Sequence, residues 1–170
     1  GEAADVLRDA EEKIKLGARI IDIGAASSRP GAVEISEAEE WRRLEGVLKE
    51  LRAAFPETFI SVDTYRSSIA QRCAEEGADM INDISGGSFD PNMPETVARL
   101  SLPYVMMHMQ GNPRTMQENP HYTDVVKEVK TEFEMKIKHL AELGFSKIIL
   151  DPGFGFGKNN VHNYTLLKHL

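Results

Sequence analysis

The chain has 170 residues, of which 41% are hydrophobic, and carries a formal net charge of −7 with a pI near 5.3. This length and composition suit one globular domain, and the acidic balance argues against non-specific binding to nucleic acid or to an anionic membrane surface. A single cysteine, Cys73, excludes a disulfide framework and a cysteine zinc site and fits a reducing cytoplasm, while no apolar run approaches the roughly 18 residues of a membrane span.

Helical and strand patterns alternate along the whole chain. In three similar segments a polar helical pattern ends at a glycine (Gly17, Gly77 or Gly144), and an apolar, β-branched run follows. Glycine is the favoured left-handed cap after a helix, and an apolar run of about four to six residues is typical of a strand buried on both faces of a parallel sheet. In chain order, the patterns predict helix 2–16, strand 19–24, helix 36–54, strand 58–63, helix 66–76, strand 79–84, helix 93–100, strand 103–109, helix 122–143, strand 147–151 and helix 160–170.

This alternation predicts a parallel α/β sheet, either doubly wound or closed into a (β/α)₈ barrel. Five strands cannot close such a barrel, so the second alternative means a partial barrel, with one incomplete domain over residues 1–170. At the start of the second helix, Ser36 and Glu39 have the spacing of a capping box.

Each predicted strand ends in polar residues that a loop follows. In parallel α/β folds, ligands bind at the carboxyl ends of the strands. One aspartate in such a position usually caps the next helix, but capping alone does not explain why all five strands end in this way. The sequence therefore predicts a binding site at this edge of the sheet, where it collects Asp22, Asp63, Asn82, His108 and Asp151.

Asp63, Asn82 and Asp151 are compatible with two kinds of ligand. Carboxylates at a barrel mouth commonly bind a metal or act as acids and bases. Alternatively, a carboxylate accepts two parallel hydrogen bonds from a flat heterocycle with a ring N–H beside an exocyclic amine, as it does from arginine. An Asn amide, which both donates and accepts, can then contact a neighbouring ring nitrogen or carbonyl. Pterins and guanines carry such an edge, whereas adenine does not.

Two glycine-containing loops lie at the same predicted edge. The loop "SSRPG" offers two hydroxyls and the guanidinium of Arg29, a set that suits an anion, although a loop arginine is often only solvated. The stretch "LDPGFGFGKNN" has the spacing of neither a Walker A loop nor a dinucleotide fingerprint. We expect Phe154 or Phe156 to line the site, and Lys158 suits an anion or the solvent equally well. The histidines show no metal-ligand spacing, and His108 is typical of a buried or rim histidine.

Five blocks of the chain resemble, in order, the successive motifs of the dihydropteroate synthase family: "IIDIG…SSRPGA", "SVDTYRSSIA", "GADMINDISGG…DP.M", "MMHMQGNPRTMQ…P.Y.DV" and "LDPGFGFGKN..HN..LL". The resemblance covers essentially the whole chain. It implies a (β/α)₈ barrel and a transferase of folate biosynthesis that condenses 6-hydroxymethyl-7,8-dihydropterin diphosphate with p-aminobenzoate and releases diphosphate. It also implies a homodimer for the full-length protein.

The resemblance implies roles for residues that match the family's motifs at the pterin end of the site. Asp63, Asn82 and Asp151 correspond to residues that bind the pterin, and both aspartates are expected to take part in catalysis. Ile84 and Met107 correspond to apolar contacts of the pterin ring.

The second substrate is expected to bind through two loops. Ser28, Arg29 and Pro30 resemble the loop that closes over p-aminobenzoate and diphosphate, and Arg29 is expected to contribute to catalysis. Phe156 resembles the aromatic residue beside the p-aminobenzoate ring, where sulfonamides also bind. The resemblance thus implies that the glycines around Phe156 form a flexible frame and let the backbone approach an organic substrate.

The sequence departs from the family's pattern in two respects. Ala26, Ser27 and Ser28 stand where the family usually has Glu-Ser-Thr, so only the hydroxyl at the third position is kept. In addition, the 170 residues contain no Asn-Val-Thr-Pro-Asp-Ser-Phe motif for the magnesium–diphosphate end, no Ser-Arg-Lys motif and no Arg-x-His pair. We therefore expect a central fragment of a longer chain, lacking the first, seventh and eighth strands. Its Mg²⁺ ligand is expected to lie elsewhere, and its synthase activity is expected only in the full-length protein.

Two other functions remain open. A methyltransferase of the pterin-binding barrel type, which uses methyl-tetrahydrofolate, has similar Asp and Asn positions but is not expected to carry "SSRPG" or "FGFGK". A non-catalytic pterin-binding module is compatible with everything in the sequence.

Overall fold

A computed structural model describes residues 2–26 and 34–170. Six helices alternate with five strands in this part of the chain. The elements are α1 (Glu2–Lys15), β1 (Ile20–Gly24), α2 (Glu37–Ala54), β2 (Phe59–Asp63), α3 (Ser67–Glu75), β3 (Met80–Asp83), α4 (Met93–Leu100), β4 (Tyr104–Met107), α5 (Val125–Glu142), β5 (Ile148–Asp151) and α6 (Asn160–Lys168).

The strands form one parallel sheet in the order β1-β2-β3-β4-β5. The strand order is the sequence order, so each strand hydrogen-bonds to the strands before and after it in the chain. A doubly wound sheet instead reverses its strand order at a switch point. The observed order is that of a (β/α)₈ barrel, and it confirms the predicted partial barrel.

The outer face of the sheet packs against the helices. In α2, the buried residues Trp41, Leu44, Leu48 and Leu51 recur every three or four positions, as expected for a helix with one apolar face. They share a core cluster with Ile60 of β2, and Leu48 is fully buried. A second cluster joins the remaining strands and helices through Val97, Tyr104, Met106, Phe133 and Leu166.

The inner face of the sheet is open. Side chains alternate between the two faces along a strand. The exposures of neighbouring residues therefore show which side chains lie on the helix-covered outer face and which lie on the inner face. Ile20, Phe59 and Ile149 are 49%, 48% and 47% exposed, whereas Ile21 and Ile60, one position further along β1 and β2, are buried. The residues that share the face of Ile20 and Phe59 form the inner face, and in a barrel only those at the carboxyl ends of the strands border the ligand site.

Helix ends agree with the sequence patterns except in two places. Gly17, Gly77 and Gly144 have positive φ angles of 105°, 98° and 77°, which confirms the predicted left-handed caps. The capping box at α2 is only half formed: the Ser36 side chain accepts from the Glu39 N–H, but the Glu39 carboxylate accepts from two arginines one turn further along. Helix α5 begins three residues later than expected, because Asp124 caps it.

Candidate functional site

Asp63, Asn82 and Asp151 lie on the inner face of the sheet. Asp63 and Asn82 are directly in register on β2 and β3. Asn82 pairs with Val105 on β4, and Met107, two positions further, pairs with Asp151 on β5. Because side chains on one strand repeat their direction every second residue, all three polar side chains project from the same face at the carboxyl ends of their strands.

Asp63 lies in an acidic environment. Burial raises the pKa of its carboxyl to about 7, and the negative charges of Asp22, Asp83 and Glu40 contribute to the increase. At neutral pH a substantial fraction of Asp63 therefore carries a proton. A ligand that donates a hydrogen bond or carries positive charge here favours the ionised form.

Asp22 is a further polar residue of the inner face. The sequence places it at the mouth but suggests no role for it. In the structure, Asn82 Nδ2 lies 3.4 Å from Asp22 Oδ2, at the long end of hydrogen-bond distances. An ionised carboxylate can only accept, so this contact favours the amide orientation in which Asn82 Nδ2 points towards β1. The carbonyl oxygen of Asn82 is then available to accept from a ligand.

The end of β2 is held by a buried polar network. Thr64 Oγ1 donates to Glu40 Oε1 at 2.6 Å, and both residues are about 2% exposed. The Arg66 guanidinium forms an ion pair with Glu40 and donates to the Ile35 carbonyl oxygen at 2.8 Å. The network connects α2 to the residues that follow Asp63. It therefore fixes the position of the end of β2, where the Asp63 carboxylate lies.

Asp83 has a structural role next to Asn82. Its carboxylate is buried and accepts hydrogen bonds from the backbone and hydroxyl of Ser85, from the Gly87 N–H and from Tyr104 Oη at 2.7 to 2.8 Å. These bonds shape the loop after β3 and leave no acceptor position turned towards the mouth. The neighbouring Ile84 is buried, at 7% exposure.

The loop between β5 and α6 (residues 152–159) lies close to the backbone that follows β4 at two of its glycines. Gly153 and Gly157 have φ angles of 69° and 62°, and a Cβ at either position would overlap the carbonyl oxygen of His108 or Gln110. The glycines therefore let this loop lie directly on the backbone that follows β4. Phe156, on this loop, is partly buried, whereas Phe154 is 41% exposed.

Lys158 is neither solvated nor available to an anion. It is 2% exposed, and its Nζ donates to the carbonyl oxygens of His108, Gly153 and Phe156. Burial lowers the pKa of Lys158 to about 8, although the charges of Asp151 and Glu132 oppose the decrease. No sequence pattern indicates this arrangement, because the spacing of three carbonyls from two loops is a property of the fold.

His108 is a buried histidine, in agreement with its sequence context. It is 3% exposed, and its Nε2 lies 3.2 Å from Glu132 Oε2. Burial opposes ionisation of Glu132, but hydrogen bonds from His108 and Lys136 outweigh it and lower the Glu132 pKa to about 2. Met107, the expected apolar contact, lies on the inner face and is 4% exposed.

Ser28, Arg29 and Pro30 lie outside the described residues, so the structure is silent on their expected roles. Within residues 2–26 and 34–170, no three His, Cys, Asp or Glu side chains are arranged to hold a metal ion. No helix in the same ranges is long and apolar enough to cross a membrane.

A parallel sheet with strands in sequence order, and with polar side chains gathered at their carboxyl ends, defines an α/β-barrel protein with its ligand site at the barrel mouth. Residues 1–170 match the family described as "Pterin binding enzyme", and the chain belongs to this family. It is 46% identical over 168 residues to the dihydropteroate synthase of Escherichia coli K12, an alignment that covers 98% of this chain and 59% of that protein. The dihydropteroate synthase of Haemophilus influenzae is 44% identical over 162 residues, covering 94% and 58% of the two chains.

Solved structures of dihydropteroate synthases are also similar to this chain. The Yersinia pestis dihydropteroate synthase in complex with a sulfonamide drug superposes with a TM-score of 0.91 and 42% identity, covering 96% of this chain and 59% of that one. The Xanthomonas albilineans enzyme with 4-aminobenzoic acid gives a TM-score of 0.89 and 36% identity, covering 98% and 59%. The chain thus spans somewhat less than two thirds of the length of these relatives.

Proposed function

We propose that the natural full-length protein is a dihydropteroate synthase, which joins 6-hydroxymethyl-7,8-dihydropterin diphosphate to p-aminobenzoate and releases diphosphate. The observation that carries this proposal is the placement of Asp63, Asn82 and Asp151 on one face at the carboxyl ends of their strands. The relatives at 44–46% identity that bear this name support it.

Asp151 and Asn82 suit the amidine-like edge of a pterin. Asp151 Oδ1 accepts from the Gly153 N–H at 2.8 Å, which fixes the carboxylate plane and leaves Oδ2 and one lone pair of Oδ1 for the ligand. A ring N–H and an exocyclic amine can donate to these positions in parallel. The Asn82 carbonyl oxygen, turned away from Asp22, accepts from a further pterin N–H.

Asp63 suits the charge that develops during the reaction. Departure of diphosphate from the pterin CH₂ leaves an electron-deficient carbon whose positive charge spreads into the ring. The aniline nitrogen of p-aminobenzoate then attacks this carbon and loses a proton. The ionised form of Asp63 is disfavoured in the empty site and becomes favourable when the ring turns cationic, so the site stabilises the transition state more than the ground state.

The second substrate is assigned to Phe156 and to the loop of Ser28, Arg29 and Pro30. Phe156 offers an apolar ring surface at the mouth, and a guanidinium with a hydroxyl suits the carboxylate and diphosphate groups. Two relatives were solved with a sulfonamide drug or with 4-aminobenzoic acid, which supports binding of p-aminobenzoate and its competition by sulfonamides in this protein.

Release of diphosphate by the natural full-length protein tests this proposal. It should require both substrates and should be inhibited by a sulfonamide. Methyl transfer from methyl-tetrahydrofolate without diphosphate release would support the methyltransferase alternative, and pterin binding without turnover would support a non-catalytic module.

Two further properties of the full-length protein belong to this proposal. We propose a homodimer, which light scattering tests directly. We also propose a reducing compartment such as the cytoplasm, because Cys73 is a fully buried free thiol. Cell fractionation would check the compartment.

A further inference from the structure

The Lys158 ammonium is the centre of a three-way contact between two loops. Its Nζ lies 3.1 Å from the His108 carbonyl oxygen, which follows β4. It lies 3.1 and 2.9 Å from the carbonyl oxygens of Gly153 and Phe156, which belong to the loop after β5. An ammonium has three hydrogens, so the three carbonyls use all of them.

The same loop is held at other points by neutral groups. The Tyr122 hydroxyl donates to the Gly157 carbonyl oxygen at 2.8 Å, and the Gly155 N–H donates to Asn163 Oδ1 at 3.0 Å. These bonds hold the loop at Gly155 and Gly157. Among residues 2–26 and 34–170, Lys158 joins the carbonyl of Phe156 to that of His108, just after β4.

A buried ammonium is a costly way to connect two loops. Removing a charge from water costs several kcal/mol unless hydrogen bonds compensate for it. Here the hydrogen-bond partners are backbone carbonyl oxygens, which a smaller neutral donor could satisfy only in part. The ammonium is therefore suited to one task, which is to draw three carbonyl oxygens to a single point.

We propose that Lys158 is a positioning residue that sets the position of the Phe156 ring relative to the Asp151 carboxylate, and thereby the affinity for the aromatic amine substrate. Asp151 holds the beginning of the loop through the Gly153 N–H, and Lys158 holds the Gly153 and Phe156 carbonyls that follow it. This inference rests on the proposed function, which assigns substrates to Asp151 and Phe156.

Deprotonation of Lys158 should weaken the contact. The charged and titratable groups around the ammonium are Asp151 of β5, Glu132 of α5 and His108 after β4. The carboxylates favour the ammonium, and burial opposes it. A neutral amine has two hydrogens for three carbonyl oxygens, so one hydrogen bond is lost when the proton leaves.

The test compares Lys158→Met with Lys168→Met, a matched change of an exposed lysine in α6. In the natural full-length enzyme, Lys158→Met should raise the KM for p-aminobenzoate about tenfold and change kcat at saturation by less than about threefold. The KM for the pterin substrate should stay within about twofold. Hydrogen exchange of the Phe156 N–H, which donates to the Gly153 carbonyl oxygen at 3.0 Å, should become about tenfold faster. Lys168→Met should change none of these quantities.

A pH profile provides a second measurement. Its main readout uses the unsubstituted enzyme and does not depend on whether the variant folds, and a folded variant is its control. The KM for p-aminobenzoate should rise as the pH increases above about 8, the pKa of Lys158, and the rise should be absent in Lys158→Met. A pH-independent KM, or equal increases of KM for both substrates in the variant, would overturn the inference. Faster exchange with an unchanged KM would reduce Lys158 to a purely structural residue and would also overturn it.

The outcomes separate this inference from the proposed function. If the unsubstituted enzyme releases no diphosphate, the proposed function is wrong and the substrate part of the inference falls with it. The exchange rate of the Phe156 N–H then still decides whether Lys158 holds the loop.

Discussion

Replacing Asp63 by asparagine should stabilise the ligand-free protein at neutral and alkaline pH. The structure raises the pKa of this carboxyl from 3.8 to about 7. Between these values the native state keeps a proton that the unfolded state has released, so the contribution of Asp63 to stability is lost as the pH rises through this window. An amide cannot ionise, and the Asp63→Asn variant escapes this loss.

The size of the effect follows from the pKa. A shift of about 3 units corresponds to about 4 kcal/mol, at 1.36 kcal/mol per unit. Asp63 is only partly buried, so solvent screening reduces this upper limit by roughly half. The free energy of unfolding of Asp63→Asn, relative to the unsubstituted protein, should therefore increase by about 2 kcal/mol between pH 4.5 and pH 8.

Urea unfolding of both proteins at several pH values measures this difference. Glu57→Gln, a change of an exposed carboxylate, is the matched control and should give a small difference that does not vary with pH. A constant difference for Asp63→Asn across the range would show that Asp63 ionises at its ordinary pKa. The effect assigned to the burial of Asp63 and to the neighbouring charges of Asp22, Asp83 and Glu40 would then be refuted.

Three further substitutions, one of them with a matched control, test the site. Gly153→Ala should cost more than about 2 kcal/mol in urea unfolding, because the new Cβ meets a carbonyl oxygen and φ is positive. Gly155→Ala, where no atom lies within 4 Å of a Cβ, should cost less, and equal costs would contradict the tight packing. Asp151→Asn in the full-length enzyme should weaken pterin binding by roughly 1.5–3 kcal/mol, and calorimetry should show a smaller loss for p-aminobenzoate. Arg29→Ala should instead affect p-aminobenzoate more than the pterin. The KM for p-aminobenzoate should rise about tenfold, and the affinity for the bare pterin should change by less than about twofold.

Much of the fold is readable from the sequence because its signals are local. Apolar runs give the strands, and the glycines at 17, 77 and 144 mark where helices end. Strand order is not local: the sequence leaves a doubly wound sheet and a barrel open, and the pairing of each strand with its neighbours in the chain decides between them. The capping box at Ser36 shows the limit of spacing alone, because nearby arginines compete for the Glu39 carboxylate.

The candidate site is predictable only where it follows from strand ends. Asp63, Asn82 and Asp151 share a face because parallel strands end at the same edge. The position of Asp22 beside Asn82 needs the register of three strands, and the burial of Lys158 needs the approach of two loops. Neither leaves a pattern in the sequence. The resemblance implies that the glycines near Phe156 let the backbone approach a substrate, whereas the structure shows two of them, Gly153 and Gly157, against the protein's own backbone.

The strand order also determines how the sheet can form during synthesis. Each strand hydrogen-bonds to the one made just before it, so the sheet can grow at one edge as the chain leaves the ribosome, without waiting for distant segments. Asp22, Asp63 and Asn82 belong to β1, β2 and β3, so all three can be in place before the strand of Asp151 has been translated. The nascent chain can therefore bring these three side chains together first, and β5 then adds Asp151 beside β4.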